Sequence, residues 1–121
     1  MKRLLAFAAL LLPACGAAPR STQAVPTPVW VVSRSHNRSA VDVYALCGKL
    51  DATWLGVVSE QGSDAFEVPA RQARCAQGLN FFLVVRNQGR GYWVGPFRPE
   101  PGASVHLVIE KYAGLSTAYL R

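Results

Sequence analysis

Leu79-Asn80-Phe81-Phe82-Leu83-Val84-Val85-Arg86 is the stretch on which the fold turns. It is apolar on both faces and rich in aromatic and β-branched residues. Turn residues, Asn87-Gln88-Gly89, follow it. A short apolar run of this kind, bounded by turn signals, is a strand, and two apolar faces place it at the centre of a sheet. Upstream, Ala40-Val41-Asp42-Val43-Tyr44-Ala45-Leu46-Cys47 alternates, with Val41, Val43, Ala45 and Cys47 on one face. Downstream, Ser104-Val105-His106-Leu107-Val108-Ile109-Glu110 alternates with Val105, Leu107 and Ile109 inward, which leaves His106 outward. A period of two is the mark of a strand with one buried face.

The remaining runs complete the set: residues 29–33, 53–58, 65–68, 91–97 and a closing stretch at 117–121. Between them lie Cys47-Gly48-Lys49, Gln61-Gly62-Ser63 and Pro99-Glu100-Pro101-Gly102. Gly and Pro at turns with β-formers between them are hairpin signals. The best helical candidate, residues 70–77, is short and reads as a connection. In the third run strict alternation sets Trp54 and Val58 opposite Leu55 and Val57. Seven or eight short strands spaced in this way define an all-β fold, a single antiparallel β-sandwich of immunoglobulin-like or transthyretin-like type.

This region resembles a group of small uncharacterised bacterial lipoproteins. The shared residues are Asn37, Asp42-Val43-Tyr44, Leu55-Gly56-Val57, Phe66-Glu67-Val68-Pro69, Phe82-Leu83-Val84, Tyr92 to Pro96, Pro101-Gly102 and Val105 to Ile109. The resemblance implies a β-sandwich and brings no catalytic residues. The Gly-Tyr turn and the Val-x-Leu-x-Ile strand also look like the regulatory-type domains attached to carboxypeptidases.

The N-terminus reads as an export signal. Met1-Lys2-Arg3 is positive, and Leu4 to Leu12 is an unbroken apolar stretch too short to span a bilayer as a mature helix. Leu12-Pro13-Ala14-Cys15 then resembles the bacterial lipobox: an aliphatic residue, a variable one, a small one and Cys. Residues 1–14 are the expected signal peptide, and Cys15 the expected lipidation site, its thiol taking a diacylglyceryl group. Two or more chains, such as added palmitate, hold a protein firmly on a bilayer. Gly16 follows where an Asp would mark inner-membrane retention, so the expected address is the outer membrane, facing the periplasm. Residues 15–28 form a tether whose Pro19, Pro26 and Pro28 favour extended conformations. The sandwich domain is expected over 29–121.

Charge and chemistry narrow the function. The chain has 13 basic and 7 acidic residues, and removal of Lys2 and Arg3 leaves 11 basic. The arginines are scattered rather than clustered, so no nucleic-acid partner is expected. With Cys15 lipidated, Cys47 and Cys75 remain as an even pair in an oxidising compartment, and a disulfide is expected. His36 and His106 are the only histidines. No nucleophile elbow, paired carboxylates, phosphate loop or close metal-ligand spacing accompanies them. The expectation is therefore no catalytic residue, no cofactor and no metal. The aromatics Trp30, Tyr44, Trp54, Tyr92, Trp93 and Phe97 are candidates for core packing or for a face that binds an envelope protein or a glycan. The leading role is a non-enzymatic binding or structural module, with a small envelope enzyme or metal carrier as the alternative.

Overall fold

The computed structural model describes residues 27–121. The expected signal peptide, the expected lipidation site Cys15 and the expected tether up to residue 26 lie outside the described residues. The strands are β1 (Val29–Ser35), β2 (Val41–Cys47), β3 (Leu50–Val58), β4 (Ser63–Val68), β5 (Leu79–Val85), β6 (Arg90–Phe97), β7 (Ser104–Ile109) and β8 (Thr117–Leu120). A single helical turn, α1 (Ala70–Ala73), precedes β5, and a 3-10 turn at Ala113–Leu115 precedes β8. No helix among the described residues is long and apolar enough to cross a membrane.

Two four-stranded sheets pack face to face, in the orders β4-β1-β7-β8 and β3-β2-β5-β6. The fold is thus the expected all-β sandwich. All pairings but one are antiparallel; β1 and β7 run parallel, from Trp30 opposite Ser104 to Ser35 opposite Ile109. Chain order explains the exception, because β2 to β6 intervene and cross between the sheets before the chain returns beside its first strand. The immunoglobulin arrangement puts the first, second, fifth and fourth strands in one sheet. The order found here differs from that arrangement.

The core lies between the sheets. Val41, Val43 and Ala45 of β2, Phe81, Leu83 and Val85 of β5, and Val105, Leu107 and Ile109 of β7 are essentially inaccessible. Removal of each large apolar side chain from water contributes roughly 1.5–3 kcal/mol. β5 lies between β2 and β6, in the interior of its sheet.

Two strands start two or more residues earlier than the sequence suggests. β3 begins at Leu50, which pairs with Cys47 across a tight turn whose Gly48 has φ +59°. That left-handed conformation suits glycine, which has no Cβ to clash. Leu50 is itself 77% exposed, so its start carries no hydrophobic signature. β4 begins at Ser63, where backbone pairing with β1 needs no apolar side chain.

Asn37 proves to be a structural tie. It is buried, and its Nδ2 donates to the carbonyls of Glu110 and Lys111 at 3.2 and 3.1 Å. Its Oδ1 accepts from the Ser39 amide at 2.9 Å. The β1–β2 connection is thereby fastened to the end of β7. At the opposite end of the sandwich Cys47 and Cys75 form the expected disulfide, with α-carbons 5.5 Å apart. The bond pins the segment after α1 to the end of β2. Beside it, buried Gln72 donates through Nε2 to the Asp51 carbonyl and Thr53 Oγ1, both at 2.8 Å.

Candidate functional site

The outward face of the β3-β2-β5-β6 sheet carries a row of aromatic rings. Phe82 of β5 lies opposite Tyr44 of β2 on one side and Trp93 of β6 on the other, and Tyr44 lies opposite Trp54 of β3. Each strand contributes one ring at the same register. With neighbouring strands about 4.8 Å apart, the row crosses roughly 14 Å of sheet. Trp54 is 54% and Trp93 45% exposed, and Tyr44 and Phe82 are half-buried between them.

Backbone irregularities set this row. Val43 pairs with Gly56, but Tyr44 pairs with Trp54, so β3 carries an extra residue at Leu55. A bulge shifts the side-chain alternation by one position. It turns Trp54 outward while Val58 faces the core and Leu55 packs against it. Strict alternation, which groups Trp54 with Val58, fails here for that reason. On β6 the decisive residue is Gly91, where any Cβ would fall inside the Phe82 ring. The ring lies against that bare backbone and meets Trp93 at 4.7 Å between centroids, tilted by 52°. A shallow depression of about 410 Å³ adjoins the row, with Leu46, Ala52 and Val84 beside the rings and Lys49 at its margin. Lys49 Nζ stands 5.4 Å from the centre of the Trp93 ring, a cation–π contact.

The other end of the row is held by charge. Arg86 grips Asp42 with two bonds, Nε to Oδ2 at 3.0 Å and Nη2 to Oδ1 at 3.1 Å. The Trp54 indole Nε1–H donates to the same carboxylate at 3.0 Å. The Arg86 hydrogen bonds hold the Asp42 carboxyl below its ordinary 3.8, against the opposing effect of partial burial, and the Trp54 bond lowers it further. Because the folded value is depressed, the contribution of this network is complete above the unfolded value and is lost as pH falls through the folded one. The Trp54 indole N–H resonance should therefore be constant at neutral pH and shift only in acid below about pH 4. Arg86→Met should move that transition upward. NMR titration checks both, and an indole resonance that titrates near neutrality would contradict the assignment.

The candidate residues divide between the two sheets and the core. Tyr44, Trp54 and Trp93 come together on one face. Trp30 is 41% exposed on the outer face of the other sheet, opposite Ser104 and Glu67. Tyr92 and Phe97 pack against the core. Phe82 stands outside the aromatics that the sequence singles out, although its strand is apolar on both faces and its outward phase holds Phe82 and Val84. His36 is exposed in the β1–β2 connection, and His106 stacks on Tyr119 with centroids 5.1 Å apart, on the opposite sheet from the aromatic row. Among the described residues no three His, Cys, Asp or Glu side chains gather as a metal site would require.

Scanned against models of protein families, the chain matches none, and no curated protein matches it. Among solved structures, it is similar to the NMR structure of a protein from Eubacterium rectale, with a TM-score of 0.49 and 10% sequence identity. The likeness covers 77% of this chain and 87% of that one.

Proposed function

We propose that this protein is a lipid-anchored module of the bacterial cell envelope. It binds an envelope protein or glycan through the aromatic face of the β3-β2-β5-β6 sheet and performs no turnover. The anchor follows from the lipobox ending at Cys15, and the address from Gly16. The tether lets the domain stand off the outer-membrane headgroups on the periplasmic side.

One observation carries the binding role: four rings in register on a solvent-facing sheet, with an ion pair committed to holding one of them. Exposed tryptophans forfeit the stabilisation that burial would give. A ring already fixed by Asp42 and Arg86 loses little further freedom when a partner arrives, which favours affinity. Aromatic anchors of this kind dominate the energetics of recognition surfaces.

A photo-reactive side chain in place of Ala52, beside the row, should capture a partner in living cells. The same reporter in place of Val32, on the outer face of the other sheet, should capture nothing comparable. Adducts from position 32 alone would move the binding surface to the other sheet, and their absence from both would refute the reading.

A further inference from the structure

The charges around the aromatic row differ in one respect. Asp42 is neutralised by Arg86 in a bidentate pair, and Asp51, near the start of β3, by Arg71 at 2.9 Å. Lys49 is exposed and, among the described residues, makes no ion pair. It stands over Trp93 at the margin of the depression. The acids beside the row are thus cancelled, and a single cation is left above a ring.

We propose that the depression takes a saccharide unit bearing a carboxylate, part of an acidic glycan laid across the strands. This rests on the reading of the aromatic face as a binding surface and names its ligand. The chemistry is complementary on both counts. A pyranose ring offers a flat C–H face, which packs on an indole plane, and Trp93 supplies that plane once the flexible Lys49 side chain, whose ammonium stands 5.4 Å over it, swings aside onto the sugar's carboxylate. Its carboxylate then meets the Lys49 ammonium, a charge-assisted contact strengthened by partial exclusion of water. A volume of about 410 Å³ falls within the roughly 300–1,000 Å³ of small-ligand sites. Tyr44 and Phe82 line the same depression and Trp54 continues the row beyond it, so a further sugar of a linear chain would meet a further ring. An acidic side chain of a protein would answer Lys49 but would leave the ring plane unstacked.

Calorimetric titration of the full-length protein decides the matter with three probes: an oligogalacturonate, a neutral galacto-oligosaccharide of the same length, and polyglutamate. Only the oligogalacturonate should bind measurably. Lys49→Ala should weaken it by about tenfold, and Trp93→Ala by at least that much, while Trp93→Phe retains part of the affinity. Both alanine variants should melt as the parent does, since the two side chains are exposed. Equal affinity for the neutral sugar would overturn the role of Lys49, and equal affinity for polyglutamate the role of the ring. If no saccharide binds while a reporter at position 52 still captures a protein, the ligand class is wrong and the binding face stands.

Discussion

Loss of the Cys47–Cys75 bond is expected to lower the melting temperature by roughly 15–25 °C. The two cysteines are 28 residues apart, so the bond closes a long loop in the unfolded chain. Chain entropy for a loop of that length corresponds to about 3.5 kcal/mol, a large part of the roughly 5–15 kcal/mol that keeps a domain folded. The native side of the balance points the same way. The segment from Pro69 to Gly78 holds only the single turn α1, too short to sustain itself. Apart from the disulfide, it is attached by the buried Ala73, by the exposed Arg71 and buried Gln72 bonds to Asp51 and Thr53, and by single bonds from Arg98 to the Ala76 carbonyl and from the Gly48 amide to the Gly78 carbonyl. The Cys47→Ala, Cys75→Ala variant should therefore keep its sandwich core but exchange amide hydrogens faster over residues 70–78. Calorimetry of the oxidised, reduced and doubly substituted proteins checks the shift. Coincident melting of all three would contradict a stabilising role for the bond.

The fold is legible where burial imposes a period. β2 and β7 alternate because one face meets the core, and the observed burial of Val41, Val43, Val105, Leu107 and Ile109 follows that alternation. The cysteine pairing is legible from the count of thiols. The parallel pairing of β1 with β7 is not, because a contact between distant strands leaves no local pattern in either. The start of β3 is hidden for a different reason: its first residues are exposed and polar or loosely packed, so only backbone bonding defines them.

The binding face is legible in part. The sequence offers Tyr44, Trp54 and Trp93 together with Trp30, Tyr92 and Phe97, and alternation alone separates them incompletely. One unpaired residue, Leu55, decides the direction of Trp54. In β5 both Phe81 and Phe82 look equally fit for the core. Phe81 is fully buried, whereas Phe82 lies in the solvent-facing row against Gly91. The distinction depends on which face of the sheet meets the second one, a tertiary fact with no marker at either position. The role of Asp42 is likewise invisible in the chain, since Arg86 approaches it from 44 residues away.

The second large effect is expected from the two exposed tryptophans. Trp54 and Trp93 bracket the row, and central aromatic anchors typically cost 2 kcal/mol or more each when truncated. Their joint replacement should weaken partner binding by about a hundredfold or more. Folding should suffer little, because both side chains are about half exposed and neither belongs to the buried cluster. A shift in melting temperature of about 5 °C or less is expected. The most direct measurement combines this variant with the photo-reactive side chain at position 52. In cells producing the Trp54→Ala, Trp93→Ala protein at parental levels, the adduct at position 52 should vanish while the melting curve of the purified protein stays close to that of the parent. An undiminished adduct in the folded double variant would contradict the assignment of the aromatic row as the binding surface.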